Sequence, residues 1–318
     1  MAHRGEGSGA VGPDPNVVAV VLAAGQGKRM KSSLVKVLHP LRGRPLVQHV
    51  LDAVRGAGAS RVIVVVGVQA ERVRQALEAE GVEFVHQDRP LGTAHAVLTA
   101  RPLLEGYRGD VLVVYGDTPL LGACDLRALV ETRRGAGAAL AFLTTRLPDP
   151  TGYGRVIRDA SGRVVDIVED ADCTPSQRAI DEVNAGVYCF LAPGLWSALE
   201  QVGRGNAQGE FYLTDAVRIM AGRGDGVVTV AAPRERTEGV SNRVDLARLE
   251  CALRLSRLEV LMRQGVAVMD PASAYVGDSV EADGDAVIAP ATVVDGRVRV
   301  RKGATVGPLA VIKQRDRG

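Results

Sequence analysis

No apolar run in this 318-residue chain approaches the roughly 20 residues that a membrane helix needs, so no membrane span is expected. Residues 1–15, MAHRGEGSGAVGPDP, lack the apolar core of a signal peptide, and their Gly, Pro and polar content reads as a disordered leader. Cysteine is scarce: Cys124, Cys173, Cys189 and Cys251 stand far apart without paired spacing. Neither a zinc site nor a disulfide framework is expected, and the compartment implied is the reducing cytoplasm. A net charge of only +2 offers no sequence-wide field to a nucleic acid partner. Lysine is nearly as scarce, with five in the chain. Yet Lys28, Lys31 and Lys36 crowd one short loop, and a polyphosphate ligand supplies a local reason. What is plentiful is ordinary: 46% apolar and 24% charged residues suit a globular protein with a substantial core.

That loop follows the apolar run Val17 to Ala24, which reads as a strand buried on both faces of a parallel sheet. The run breaks at Gly25-Gln26-Gly27, and an amphipathic helix starts at Pro45 with Leu46, Val47, Val50, Leu51 and Val54 on one face. A glycine turn loaded with cations after a first strand is where an open α/β sheet binds phosphate. It is not a P-loop, because Leu22 and Arg29 stand where that motif needs Gly and Ser or Thr. Nor is it a dinucleotide fingerprint, since Met30 replaces the third glycine.

The stretch resembles instead the nucleotide loop of sugar-1-phosphate nucleotidylyltransferases, L-A-A-G-x-G-T-R-M-x-S-x-x-P-K. Its continuation K-V-L-H-x-L-x-G-x-x-x-V-Q-H is similar to the branch of bacterial N-acetylglucosamine-1-phosphate uridylyltransferases, usually fused to a glucosamine-1-phosphate acetyltransferase. Lys28 replaces the usual Thr and Val35 the usual Pro.

From Arg61 strands and helices alternate: strands at 62–66, 83–86, 111–115 and 139–145, helices at 70–79, 93–104 and 125–133. A mostly parallel sheet with helices on both faces follows. Short strands at 155–158, 164–168 and 183–190 then read as an antiparallel extension walling the cleft, before a helix at 214–221 and a strand at 227–231. Residues 243–264 space apolar residues (Val244, Leu246, Leu249, Leu253, Leu255, Leu258, Leu261) as a long helix ended by Gly265. Beyond it, every sixth residue from Val276 to Ile312 is apolar, the period of a hexapeptide β-helix; an alternating strand with turns is the plainer reading. The fold class expected is α/β. It comprises a Rossmann-like nucleotidyltransferase domain over 16–242, a linker helix over 243–265 and, by the resemblance, a left-handed β-helix stub over 266–318. About two coils at roughly three hexads each, with no histidine, leave no room for an acyl-transfer site. That half-reaction is expected to be absent.

The remaining motifs extend the resemblance. Gln87 to His95 matches Q-x-x-x-L-G-T-G-H, although Gly92-Thr93 before an apolar helix also reads simply as a Thr-capped N-terminus. Tyr115-Gly116-Asp117 continues a buried strand into the same crevice, and Asp before a turn and Pro is its bland alternative. Asp149 to Arg155 matches D-P-T-G-Y-G-R. Asn206 to Asp215 matches N-A-Q-G-E-Y-Y-I-T-D. The resemblance implies nucleotide contacts from Leu22, Ala24, Gly25, Gly27, Lys28, Gln87, Gly92 and Thr93. It implies sugar contacts from Tyr115, Gly154, Glu169 and Asn184, and charge neutralisation during transfer by Arg29 and Lys36. It puts Mg²⁺ on Asp117 and on the position of Ser241, where the family has Asn; Asn242 is the alternative donor. Ala185 stands where the family has Thr. The activity implied is Mg-dependent uridylyl transfer from UTP to N-acetylglucosamine 1-phosphate, by in-line attack without a covalent intermediate. Another sugar or base, or a degenerate nucleotide-binding regulator, stays open, as does a trimer through the stub.

Overall fold

The computed structural model describes residues 14–314. They divide into two compact units, one of residues up to His39 with Pro45–Ser241, the other of Pro40–Arg44 and the residues from Asn242 onward. Most of the expected leader, residues 1–13, lies outside the described residues. Its last two residues, Asp14 and Pro15, open the first strand instead. Among the described residues no helix is long and apolar enough to cross a membrane.

The first unit is built on a nine-stranded sheet. Its strands are β1 (Asp14–Ala23), β2 (Ala59–Val66), β3 (Glu83–His86), β4 (Asp110–Tyr115), β5 (Leu140–Arg146), β6 (Arg155–Arg158), β7 (Val164–Val168), β8 (Glu182–Leu191) and β9 (Val227–Ala231). The order along the main path is β9-β5-β8-β4-β1-β2-β3, with β6 and β7 attached beside β8. β1 lies parallel between β2 and β4. Its side chains alternate between two cores: Val17, Ala19, Val21 and Ala23 pack in one, Val18, Val20 and Leu22 in the other, where Ala24 just past the strand joins them. Both faces are dry, which is why the run reads as continuously apolar. Helices α1 (Leu46–Gly56) and α4 (Ala123–Gly135) cover one face. Between them in sequence come α2 (Ala70–Ala76) and α3 (Thr93–Thr99). The other face is covered by α3, α5 (Ala192–Leu199) and α6 (Asp215–Arg223).

Two expectations change here. The segment expected as an outlying antiparallel wall, 183–190, is β8, inserted antiparallel between β4 and β5. It is almost wholly buried, with Val183 and Val187 to Phe190 at 0% exposure, which an interior strand achieves and a flank does not. Only the β6–β7 hairpin extends outward. The helix expected over 93–104 stops at Thr99, and Arg101–Leu104 forms a separate 3₁₀ turn. Pro102 has no N–H to continue the α-helical ladder and its ring crowds the preceding turn.

In the second unit α7 spans Arg243–Arg263. The Asn242 side-chain oxygen accepts from the N–H groups of Val244 and Asp245 at 2.7 and 3.0 Å, a capping arrangement that satisfies two orphan donors. Of the apolar residues that marked this helix, Leu249, Leu258 and Leu261 are buried, whereas Val244 and Leu255 are exposed. The strands after it stack in parallel, and from Tyr275 on each residue pairs with one eighteen further along, as Tyr275 with Val293, Glu281 with Arg299 and Val293 with Val311. Eighteen residues are three hexads, so the sixfold period brings Val276, Ile288, Val294 and Val300 into one interior. Ile312, on the last described strand, is exposed. Arg42 joins this unit from afar. Its guanidinium lies 2.8 Å from Asp278 and 3.6 Å from Glu250, over the Tyr275 ring at 4.8 Å.

Candidate active site

The glycine turn leaves the carboxyl end of β1. Gly27 holds φ +60°, and a Cβ there would sit 2.7 Å from the Lys36 Cβ, so only glycine lets the chain fold back this closely. Met30, 1% exposed, pins the turn to the core. Further on, Val35 and Val37 point into the core beneath the sheet. The residue between them, Lys36, is only partly buried, and its ammonium pairs with the Asp117 carboxylate just past β4.

These elements close around a cavity of about 460 Å³. Leu22, Ala24, Gly25, Lys28 and Lys36 line it from the first turn, Gln87, Gly92 and Thr93 from the segment before α3, and Tyr115 and Asp117 from the end of β4. Gln26, Pro90 and Glu210 line it as well. Glu210 lies in the N-A-Q-G-E segment, whose match was legible but whose placement was not. Arg29 is exposed on the 3₁₀ turn Lys28–Met30 and does not line the cavity.

Gln87 is buried, and its amide nitrogen donates to the Gly92 carbonyl at 3.1 Å and faces His95 Nδ1 at 3.0 Å. The second contact makes Nδ1 the acceptor and places the imidazole proton on Nε2. Gly92 adopts φ +121°, and a Cβ there would fall 2.4 Å from the Phe211 carbonyl oxygen. The chain around Phe211 docks here through Phe211 N–H to Leu91 O and Ala94 N–H to Phe211 O, at 2.8 and 2.9 Å. The Thr93 hydroxyl accepts from Leu213 N–H at 2.9 Å. It does not cap its own helix, whose N-cap is Gly92 without a side-chain bond. The tertiary partner wins over the local capping rule.

A second polar cluster gathers around Tyr115. A Cβ on Gly154 would lie 3.5 Å from Glu169 Oε2, and Asn184 N–H donates to Gly154 O at 2.8 Å. Glu169 accepts from the Thr214 hydroxyl at 3.0 Å. Burial pushes its carboxyl above the usual range; the Thr214 bond opposes this, and Asp172, Asp215 and Asp170 add to it. Burial likewise raises the Tyr115 phenol well above its ordinary value, helped by the charges of Glu169 and Asp117. Gly186, at φ +74°, passes so close that a Cβ would meet the Tyr115 ring at 2.6 Å. Ala185 turns the opposite way, into the core with Val187 and Cys189.

Asp117 also anchors the chain end of the first unit, its carbonyl accepting from Val240 N–H at 2.8 Å. Ser241 thus follows directly on a residue bonded to Asp117. Asn242, by contrast, uses its side-chain oxygen on α7. Among the described residues no three or more His, Cys, Asp or Glu group together as a ready-made metal cage. A hard cation at Asp117 would need oxygen donors from substrate phosphates and water, the habit of magnesium.

Residues 19–219 match the MobA-like NTP transferase domain. The chain is 49% identical over 300 residues to a "Bifunctional protein GlmU" from Anaeromyxobacter dehalogenans (strain 2CP-C), covering 93% of this chain and 61% of that protein. It is 44% identical over 296 residues to a protein of the same description from Geobacillus thermodenitrificans (strain NG80-2), covering 93% and 64%. A third, from Pelotomaculum thermopropionicum, is 48% identical over 280 residues, covering 87% and 61%. The chain spans less than two thirds of the length of these curated relatives.

Proposed function

The chain belongs to the MobA-like NTP transferase family, and from that premise we propose that it transfers the uridylyl group of UTP to N-acetylglucosamine 1-phosphate. The observation that carries this reading is one cavity with two chemistries in its lining, and a third in the polar cluster that adjoins it at Tyr115. Lys28 and Lys36 with the Gly25 turn suit polyphosphate, Gln87, Gly92 and Thr93 suit a planar base and its ribose, and the Gly154, Glu169 and Asn184 cluster beside Tyr115 suits a polar sugar.

In this reading an oxygen of the sugar phosphate attacks the α-phosphorus of UTP in line. The bond to the bridging oxygen breaks, and its electron pair leaves with pyrophosphate. Lys36 neutralises the transferred phosphoryl group, while Lys28 and the solvent-facing Arg29 hold the departing phosphates. No protein nucleophile is required. The Lys36–Asp117 ion pair places a cation and a carboxylate together where phosphate charge would arrive. Asp117, with Ser241 one residue beyond the Val240 that bonds its carbonyl, would hold a divalent ion, which when bound supplies further neutralisation of phosphate charge. The proposal concerns the uridylyl half-reaction alone.

The test is pyrophosphate release from UTP and N-acetylglucosamine 1-phosphate, with Mg²⁺ and with chelator, alongside glucose 1-phosphate and the other nucleoside triphosphates. Magnesium-dependent release selective for this pair is the expected result. UTP binding without release from any sugar phosphate would refute it.

A further inference from the structure

The amide of Asn184 is held from two sides. Gly186 N–H lies 3.0 Å from one end, and an N–H can only donate, so that end is the oxygen. The nitrogen then faces the Tyr188 hydroxyl at 2.6 Å, which must accept. Tyr188 has little freedom to move away. It is 0% exposed, stacked on Phe190 at 5.6 Å and tilted on Phe142 at 6.2 Å between ring centroids.

A backbone irregularity brings the two side chains together. Asn184 pairs with Thr144 and Tyr188 with Phe142, so four steps along β8 match two along β5. The excess is taken up as a bulge at Ala185–Val187, with Gly186 in the left-handed region beneath the Tyr115 ring. Bulges near sites re-aim side chains in this way. Here the bulge swings Asn184 to the Tyr115 cluster and leaves the Tyr188 hydroxyl against its amide.

We propose that Tyr188 is a positioning residue that sets sugar selectivity by holding in place the Asn184 amide whose orientation the Gly186 N–H fixes. With one N–H and one lone pair already engaged, Asn184 offers the substrate one N–H and one lone pair in fixed order. A sugar hydroxyl rotates to suit either order. An acetamido group cannot, because its N–H and C=O are fixed, so an amide that swings away once its nitrogen loses the Tyr188 partner loses selectivity for the acetamido sugar. The inference rests on the reading of Asn184 as a sugar contact.

The test compares N-acetylglucosamine 1-phosphate with glucose 1-phosphate for the wild type, Tyr188→Phe, Asn184→Ala and the double variant, with thermal melting and calorimetric binding of UDP-N-acetylglucosamine in parallel. Tyr188→Phe keeps the ring stack and removes only the acceptor. It is expected to raise KM for the acetamido sugar phosphate about tenfold, leaving kcat, KM for UTP and the glucose 1-phosphate values within about twofold. The double variant should lose no more selectivity than Asn184→Ala, because both act on one contact. If Asn184→Ala loses selectivity and Tyr188→Phe does not, the positioning role is refuted while the proposed function stands. If Tyr188→Phe slows both sugars equally, its role is structural and the inference fails. If Asn184→Ala also keeps full selectivity, the sugar-site reading fails with it.

Discussion

Replacing Gly92 by alanine probes the wall of the cavity where local backbone and tertiary packing meet. The native φ of +121° with ψ of 175° lies in a region essentially reserved for glycine, costing a side-chain-bearing residue about 1–3 kcal/mol. The new Cβ would also fall 2.4 Å from Phe211 O and 2.6 Å from Phe211 N, which are backbone atoms with no rotamer to yield. The chain at Phe211 must retreat, weakening its two backbone hydrogen bonds to Leu91 and Ala94 at about 0.5–1.5 kcal/mol each. Together the loss is about 4 kcal/mol, read as a drop in unfolding free energy by urea denaturation, with UTP affinity falling as the Gln87–Thr93 wall loosens. Gly25→Ala is the matched control. Its Cβ meets nothing within 4 Å and its φ is not left-handed, so stability should change by less than about 1 kcal/mol and only nucleotide binding should suffer. Equal stability losses in the two variants, or a Gly92→Ala loss below about 1 kcal/mol, would refute the reasoning.

Lys36→Met and Asp117→Asn should each cut turnover about 100-fold or more, the scale for removing a preorganised charge at a transition state, while exposed Lys31→Ala stays within about twofold; similar rates in all three would remove Lys36 and Asp117 from the chemistry. Glu169, raised by burial, binds its proton more tightly folded than unfolded. Its contribution is therefore full below the ordinary glutamate value and lost as pH rises through the raised one. Glu169→Gln should accordingly be more stable than wild type at pH 7, with the advantage shrinking below about pH 4.5; an advantage unchanged across denaturation curves at both pH values would contradict this. Asn242→Ala should cost α7 its cap, about 1 kcal/mol, with the Mg²⁺ concentration for half-maximal activity unmoved; a tenfold rise would instead make Asn242 a ligand.

The features legible in sequence were those whose cause is local. The run from Val17 to Ala24 announced a strand dry on both faces, and the turn at Gly25–Gly27 placed the cation-rich loop at its end. The position of β8 was not legible, because strand order depends on partners far along the chain, and its apolar residues suit an interior or a flanking strand alike. Thr93 misled for a related reason: the capping rule describes an isolated helix, and Leu213 N–H arrives from 120 residues away. The apolar spacing of α7 overstated its buried face, as Val244 and Leu255 show. Tyr188 passed unnoticed because nothing in an alternating strand signals that two residues of excess length fold its hydroxyl back onto Asn184.

The excursion at Pro40–Arg44 bears on how this protein can be taken apart. The chain enters the second unit, returns at Pro45 and enters it again at Asn242, so each unit is built from two separate stretches of chain. Cleaving after Ser241 would not release a finished module. It would strip Arg42, whose side chain is 3% exposed, of Glu250, Asp278 and Tyr275 together, uncovering a cation that those residues now pair and cover. That wound would open six residues from Lys36, in the segment that carries it toward α1. A shortened protein that lost activity would thus report the loss of those contacts before it reported anything about the chemistry of the part removed.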